Sequence, residues 1–363
     1  MGVATTLDDV AKRSGYSPAT ISRVVNGGEG VRSEVRTAVE KVIRELGYVT
    51  RKSKQERSEH LIEVLLHRSG LIEQVEVGPA GLAIGPPTQV QPELLFTAPW
   101  RAGNEFHLRI LNGILGELQT WGGKAILQAV SDLADPSIAE RLADDVSGLL
   151  IVGEGGPAVG ALVAACKRPA VLVDMLDPAG ASEQVTSDNF AGIGQAVDHL
   201  VSLGHRSLGF IGGLDLPANH ERAAAFAYHA SRHGVKIPSG WAQVPFDNVG
   251  PTSERLKALL AKAAKPTGVA CCNDWGAVAL VRAADAAGLR LPRDLSVVGY
   301  DDLSMNAMST PPLTSVHVPC EALGGMAVRL LLSRRGRLQG QPSTLRLHPR
   351  LVVRGSTAPP AGP

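Results

Sequence analysis

Apolar and polar positions follow two different patterns along the chain. Between residues 5 and 48, apolar residues recur every three or four positions, which predicts three short helices. Ser17 is placed to cap the second helix, Pro18 takes its first position, and Gly47 closes the third. From about residue 94, short apolar runs alternate with helical stretches. This order predicts parallel sheets covered by helices, and its length of about 260 residues predicts two lobes.

The alternating part yields specific elements. Strands are predicted at 94–97, 125–129, 149–152, 170–174, 208–211, 269–272 and 295–299, and helices at 107–119, 190–203, 221–233 and 277–287. Folds of this class bind ligands beyond the carboxyl ends of their strands. The stretch 50–92 is basic at first and then rich in Gly and Pro, which predicts a linker or an insertion. The Pro-rich end, 357–363, is predicted to be a disordered tail.

Composition excludes several classes of protein. Hydrophobic residues make up 44% and charged residues 20% of 363 residues, which is typical of a folded chain of two or three units. No run of 18 apolar residues and no signal-peptide pattern occurs, so we expect a cytoplasmic protein with no membrane partner. Four cysteines without a Cys-x-x-Cys pair indicate neither a disulfide framework nor a zinc site.

The second predicted helix carries a face suited to DNA. Ala19, Ser22, Arg23 and Asn26 share the side opposite its apolar residues, and this side is small and polar with one long cation. A helix that enters the major groove needs such a face, because small residues allow close approach and Arg binds guanine O6 and N7. Residues 1–60 also carry eleven Lys or Arg against eight Asp or Glu. On periodicity alone, an ordinary solvated helix face explains this pattern equally well.

The residues themselves decide more than the pattern. The string from Thr6 to Asn26, TLDDVAKRSGYSPATISRVVN, closely resembles the helix-turn-helix of the lactose-repressor (LacI) family of bacterial transcription regulators. Tyr16 departs from it, because the family usually has a small apolar residue there. The resemblance implies that Pro18, Ala19 and Arg23 contact bases, and that Thr6, Ser17, Thr20, Ser22 and Asn26 contact the DNA backbone or support the helix.

The segment after this module departs further from the family. After Tyr48 the family normally continues with Pro-Asn-Arg and, later, a leucine that enters the minor groove at the centre of the operator. This chain has Arg57 at the leucine position, so no apolar wedge is present. The basic residues of the segment are expected at phosphates or in a narrow minor groove, with a solvated linker as the alternative. They are Arg51, Lys52, Lys54 and Arg57.

The resemblance returns in the alternating part. It is carried by Leu94–Pro99 with Asn104-Glu105-Phe106, by Ser187-Asp188-Asn189, by Glu221-Arg222, by Asn273-Asp274 and by Leu291–Asp302. These motifs resemble the family's effector-binding core, which is similar to a periplasmic sugar-binding protein: two lobes that close on a small molecule. The spacing between strand and helix favours 94–97 as the first core strand. The alternative is a first strand at 61–66, with the insertion after it.

Matched positions imply a set of ligand contacts. Arg222 and Asp274 correspond to the principal polar contacts, a donor fork and an acceptor suited to sugar hydroxyls. Asn104 and Asn273 belong to the same motifs. Phe106, Phe246 and Trp275 are candidate apolar walls, with a plain core role as the equal alternative for each.

One motif favours a different function. Gly153, Gly155 and Ala158 form G-x-G-x-x-A after a predicted strand, and Asp174 follows 21 residues after Gly153. This spacing suits a dinucleotide site, so an NAD-dependent oxidoreductase is the alternative function. Against it, the motif lies inside the series of strands, and no catalytic triad or phosphate-binding loop occurs. His229 and His233 stand four apart on a predicted helix, where a surface role is expected rather than a metal pair.

The sequence therefore predicts a regulator and not an enzyme. We expect a helix-turn-helix DNA-binding domain at 1–49, the linker or insertion at 50–92, a two-lobed effector-binding and dimerisation domain at 93–356, and the tail at 357–363. The expected partners are a palindromic double-stranded operator, a second copy of the chain and a small-molecule effector, by resemblance a sugar or sugar derivative. A two-fold protein is needed because half-sites lie one helical turn apart. No cofactor and no metal are expected.

Overall fold

The computed structural model describes most of the chain. The described residues are 7–25, 31–46, 61–67, 105–130, 132–135, 137–141, 146–153, 158–166, 168–177, 179–213, 216–246, 249–334 and 341–361. They belong to two compact units, one made of residues 1–61 with 145–147 and the other of residues 62–144 with 148–363.

The smaller unit contains the three predicted helices. They are α1 (Leu7–Ser14), α2 (Pro18–Val25) and α3 (Ser33–Leu46). Val10, Ile21, Val24 and Val39 form its buried core, in which α2 packs on α1. Ser17 caps α2 as predicted, because its Oγ accepts a hydrogen bond from the amide of Thr20 at 3.2 Å.

Strands and helices alternate through the larger unit. The strands are β1 (Leu61–His67), β2 (Lys124–Val130), β3 (Gly148–Gly153), β4 (Ala170–Val173), β5 (Glu183–Ser187), β6 (Leu208–Gly212), β7 (Val244–Pro245), β8 (Gly268–Cys271), β9 (Ser296–Asp301), β10 (Thr314–His317), β11 (Thr344–Leu347) and β12 (Arg350–Val352). The helices are α4 (Glu105–Thr120), α5 (Ser137–Arg141), α6 (Val159–Ala165), α7 (Asn189–Ser202), α8 (Pro217–Arg232), α9 (Val249–Leu260), α10 (Asp274–Ala286), α11 (Met305–Met308) and α12 (Cys320–Ser333).

Two six-stranded sheets define two lobes. Lobe 1 has the strand order β11-β5-β4-β3-β1-β2, and lobe 2 has the order β12-β10-β9-β8-β6-β7. The described pairings are parallel except that of β12 with β10, which is antiparallel. The chain crosses between the lobes at 187–189, 317–320 and 347–350. The predicted fold class, a helical module plus two parallel-sheet lobes, is confirmed.

The first core strand corrects the sequence analysis. β1 pairs in parallel with β3, with Val64 opposite Leu150, and Ile62, Val64 and Leu65 are fully buried. The prediction that 50–92 is entirely linker or insertion is therefore wrong for 61–67, because these apolar side chains fill both faces of the lobe 1 sheet. The alternative placement of the first strand is confirmed. The preferred placement at 94–97 lies outside the described residues.

The end of the chain also differs from the prediction. Ser356 is fully buried, and the Ala358 amide donates to Ser296 Oγ at 3.1 Å. The Ala358 carbonyl accepts from His205 Nε2 at 3.0 Å. A disordered tail from 357 is thus wrong for 357–361. Proline-rich composition favours disorder only where the backbone lacks partners, and here the polar side chains of lobe 2 supply them.

Helices α4 and α12 cross at very short range in lobe 1. A Cβ atom on Gly113 would collide with the backbone carbonyl of Glu321, and one on Gly324 would collide with the carbonyl of Ile110. Glycine at both positions therefore lets the two backbones touch. This helix contact fixes α12 to lobe 1, directly after the chain has passed from lobe 2 to lobe 1 at 317–320.

Candidate functional site

The predicted DNA-contacting residues that the structure describes lie in α2 or just before it. Ile21 and Val24 are buried beneath it. Ser17, Pro18, Ala19 and Arg23 are exposed, and Thr20 and Ser22 are half-buried. The remaining predicted DNA contacts, Thr6, Asn26, Arg51, Lys52, Lys54 and Arg57, lie outside the described residues. The helix thus offers a short polar face with one long cation, as the sequence predicts.

Arg222 is the polar centre of the larger unit. It is only 6% exposed, yet its guanidinium is held on several sides. Nε donates to Asn189 Oδ1 at 2.8 Å, and Nη1 donates to the carbonyl of Cys272 at 2.5 Å. Asp301 Oδ1 lies 3.7 Å from Nη1. A buried guanidinium needs such partners, because an unpaired one would not remain in the interior.

Tyr300 lies directly under this guanidinium. Arg222 Cζ is 3.9 Å from the centre of the Tyr300 ring, which is a cation–π contact. Burial lowers the pKa of Arg222, but Tyr300, Asp301 and Asp174 more than offset this effect, so that its pKa is raised. Burial raises the pKa of Tyr300 to about 12. Arg222 therefore stays charged and Tyr300 stays neutral.

Two aspartates near Arg222 adopt a backbone conformation that L-residues avoid. Asp174 has φ of 57° and follows β4 of lobe 1, whereas Asp301 has φ of 99° and ends β9 of lobe 2. Both stand at carboxyl ends of parallel strands, where folds of this class bind ligands. Strain of this kind concentrates at binding sites. Burial raises the pKa of Asp301 well above its usual range, although Arg222 opposes this effect.

Asp274, the other predicted polar ligand contact, is held inside the protein by hydrogen bonds. It is fully buried, with Oδ2 accepting from the Leu303 amide at 2.8 Å and Oδ1 accepting from Ser315 Oγ at 2.7 Å. Burial raises its pKa to about 6, against the effect of these donors. Asp274 therefore joins α10 to the ends of β9 and β10, and the carboxylate beside Arg222 is Asp301.

The other predicted ligand contacts lie at a helix cap, in the core or at its margins. Asn273 caps α10, because its side chain accepts from the Gly276 amide at 2.8 Å. Phe106 is 7% exposed and belongs to the core cluster that runs through both lobes. Trp275 and Phe246 are half-buried at the margins of the core. Asn104 lies outside the described residues.

Comparison with known proteins decides the family. Residues 6–51 match the model of bacterial regulatory proteins of the lacI family, and residues 197–357 match a periplasmic binding protein-like domain. The transcriptional regulator MalR of Streptomyces coelicolor is 31% identical over 365 residues, covering 99% of this chain and 98% of MalR. The chain belongs to the LacI family of bacterial transcription regulators.

Other LacI-family members agree with this placement. The transcriptional repressor PurR of Escherichia fergusonii is 29% identical over 97% of both chains. The lac repressor dimer bound to operator and the anti-inducer ONPF is 25% identical with a TM-score of 0.72, covering 98% of this chain and 100% of that one. The complex of the regulator CelR with cellobiose is 26% identical with a TM-score of 0.65, covering 97% and 99%. This LacI-family chain is a DNA-binding transcription regulator under small-molecule control.

Several polar residues around Arg222 were not predicted from the sequence. Asn189, Glu221, Tyr300 and Asp301 all stand inside the quoted family motifs, but the motifs do not say which side chain faces Arg222. The end of a buried strand in Gly299–Asp302 was the available signal, because polar residues after parallel strands meet at one edge.

The dinucleotide motif is in part outside the described residues. Gly153 ends β3 with φ of 141°, whereas 154–157 are not described. Asp174, the predicted ribose-binding acid, contributes to the field around Arg222. Among the described residues, no group of three or more His, Cys, Asp or Glu could hold a metal ion, and no helix is long and apolar enough to cross a membrane.

Proposed function

We propose that this LacI-family regulator is a homodimeric repressor, controlled by a polyhydroxylated small molecule that binds between the lobes. The observation that carries the proposal is the pairing of Arg222 with Asp301 at the carboxyl end of β9, with Asp174 at the corresponding end of β4 in the other lobe. A donor fork close to acidic side chains from both lobes suits a ligand rich in hydroxyl groups. The cellobiose complex of CelR and the lac repressor dimer on its operator support sugar and dimer.

The proposal assigns roles to the two units. Residues 7–46 bind operator DNA through the exposed face of α2, and the unit from 62 onward binds the effector and a second copy of the chain. The proposed ligand contacts are Arg222, Trp275 and Phe246, with Asp301 and not Asp274 as the acidic contact. Because bacterial DNA lies in the cytoplasm, we place this regulator there. No catalytic role is assigned, since the relatives are regulators.

Paired variants test the choice of carboxylate. Thermal unfolding of the full-length protein is measured with and without D-ribose, cellobiose and maltose. We expect at least one sugar to raise the midpoint of the wild type, because a ligand at about 100 times its Kd adds about 2.7 kcal/mol. Asp301→Asn should lose this shift. Asp274→Asn should lower the free energy of unfolding of the ligand-free protein by about 1–3 kcal/mol, since it weakens buried hydrogen bonds. It should keep the sugar-induced shift of the midpoint.

A sugar shift that survives Asp301→Asn and disappears in Asp274→Asn would restore Asp274 as the ligand contact. If no sugar shifts the wild type and NAD does, the dinucleotide alternative at Gly153 and Asp174 would replace the regulator's sugar site.

A further inference from the structure

Four polar side chains form an unbroken line of hydrogen bonds from lobe 1 to the arginine of the cleft. Arg346 Nη2 donates to Glu221 Oε1 at 2.7 Å. Glu221 Oε2 accepts from Asn189 Nδ2 at 3.0 Å. Asn189 Oδ1 in turn accepts from Arg222 Nε at 2.8 Å. We call Arg346, Glu221, Asn189 and Arg222 the relay.

The relay crosses between the lobes at their connections. Arg346 lies on β11 of lobe 1, opposite Thr186 of β5, and both strands end at crossings of the chain. Glu221 and Arg222 lie on α8, which packs on α7 and on β6 of lobe 2. Asn189 is the first residue of α7, directly after the crossing at 187–189. The relay therefore joins a hinge strand of one lobe to the cleft residue of the other.

Glu221 decides which way the Asn189 amide points. An amide has one donating end and one accepting end, whereas an ionised carboxylate only accepts. Facing Glu221, Asn189 must present Nδ2 to it, and its Oδ1 is then directed at Arg222. Asn189 is 1% exposed, so water is not available to replace either partner. Tyr300 OH also lies 3.4 Å from the same oxygen and favours the same orientation.

Arg346 keeps the Glu221 side chain in position through their ion pair. The ion pair is half-buried, with 39% of the Arg346 side chain and 28% of the Glu221 side chain exposed. The Glu221 carboxylate raises the pKa of Arg346. Arg346 moves with lobe 1, so a change in the angle between the lobes changes the geometry of its ion pair with Glu221. The orientation of the Asn189 amide changes with it.

We propose that Glu221 and Arg346 are positioning residues, which fix the direction of Arg222 in the cleft and make its ligand affinity depend on the relative position of the lobes. This inference rests on the proposed function, in which Arg222 contacts the effector. Neither Glu221 nor Arg346 needs to touch the ligand. The relay thus gives a physical route from lobe movement to ligand affinity.

The chain offers matched variants for the test. Arg346→Ala removes the pair at a partly exposed site, and Arg346→Lys keeps its charge. Glu221→Gln keeps the size of the side chain but can face either end of the Asn189 amide. Arg350→Ala removes an exposed arginine from β12, four residues further along the chain, and serves as the control.

Hydrogen exchange of the full-length, ligand-free protein is the first measurement. In peptides covering 188–193 and 220–226, Arg346→Ala and Glu221→Gln should each exchange about fivefold faster than the wild type, as expected for loss of a partly buried pair. Arg346→Lys and Arg350→Ala should stay within about twofold. The double variant Arg346→Ala/Glu221→Gln should be no faster than either single variant, because both changes break one line of contacts. Equal exchange in Arg346→Ala and Arg350→Ala would overturn the proposal.

Calorimetric titration with D-ribose, cellobiose and maltose is the second measurement. Any sugar that binds the wild type should bind Arg346→Ala about fivefold more weakly, with affinity restored in Arg346→Lys. Unchanged affinity in Arg346→Ala would contradict the relay. Arg222→Ala tests the proposed function separately, since binding that survives it would remove Arg222 from the ligand site whatever the relay does. If none of the three sugars binds, the exchange experiment still decides.

Discussion

Arg23 is the long side chain of the exposed face of α2, with Ile21 and Val24 fixing the helix beneath it. Arginine reads guanine through two parallel hydrogen bonds, and each such pair contributes about 1–3 kcal/mol of discrimination. Arg23→Ala should therefore weaken specific binding by about 1–3 kcal/mol. Fluorescence anisotropy on DNA from the protein's own promoter region, against scrambled DNA at several salt concentrations, measures this loss.

A matched variant separates base reading from charge. Arg290→Ala removes the same charge from an exposed site of the larger unit, where 67% of the side chain is accessible. It should leave promoter preference unchanged. If Arg23→Ala keeps its preference for promoter DNA over scrambled DNA, Arg23 does not read bases.

At residue scale, the sequence selected Arg222 but paired it with Asp274, whereas the carboxyl group next to Arg222 in the structure is that of Asp301. Arg222 was identified and is held where strand ends meet. Asp274 was chosen with it because it lies in a family motif, yet the carboxylate bonds to the Leu303 amide and Ser315 Oγ inside the protein. Residue type alone does not tell whether a carboxylate faces ligand or backbone, since this depends on contacts from β9 and β10, far away in sequence.

At the scale of elements, the crossing of α4 and α12 makes a sharp prediction. Gly113→Ala places a methyl group against the backbone carbonyl of Glu321, and Gly324→Ala places one against that of Ile110. Overpacking against backbone costs about 1–3 kcal/mol, so each variant should lower the free energy of unfolding by that amount. Denaturant unfolding of the full-length protein measures it.

The same helix supplies the control. A Cβ on Gly116 meets no atom within 4 Å, so Gly116→Ala should raise stability by about 0.5–1 kcal/mol through helix propensity alone. If Gly113→Ala and Gly116→Ala changed the free energy of unfolding equally, the two helices would be able to move apart at position 113 without loss of stability.

Elements with apolar runs were predicted well, and polar buried elements were not. The strands at 149–152 and 208–211 correspond to β3 and β6, because a parallel strand buried on both faces is continuously apolar. β5 reads Glu-Gln-Val-Thr-Ser and was missed, although Gln184, Thr186 and Ser187 are buried. Buried polar side chains give no signal in a pattern that is based on apolar positions.

At the scale of the whole molecule, neutral histidines hold the end of the chain. His205 Nε2 donates to the Ala358 carbonyl, and His199 Nε2 lies 2.9 Å from Thr357 Oγ1. Burial lowers the pKa of both imidazoles. Because the pKa of each imidazole is lower in the folded state, the neutral histidines contribute fully to the free energy of unfolding above about pH 6.5, the usual histidine value. This contribution is lost as the pH falls through the lower pKa of the folded state.

Acid should therefore loosen the docked tail. The free energy of unfolding of the wild type, measured in denaturant from neutral pH to about pH 5, should fall more steeply than that of His205→Gln, which cannot take up a proton. Hydrogen exchange of peptides covering 354–361 should increase over the same range. An identical pH slope in wild type and His205→Gln would show that the imidazole carries no part of the acid sensitivity.

The three crossings have a consequence for how the protein is made. β11 and β12, which each form one edge of a sheet, both come from residues 344–352, so neither lobe can be completed until these residues have left the ribosome. A nonsense or frameshift mutation anywhere before Thr344 would remove an edge from both sheets at once. In this gene, a late stop codon should be nearly as damaging to the larger unit as an early one.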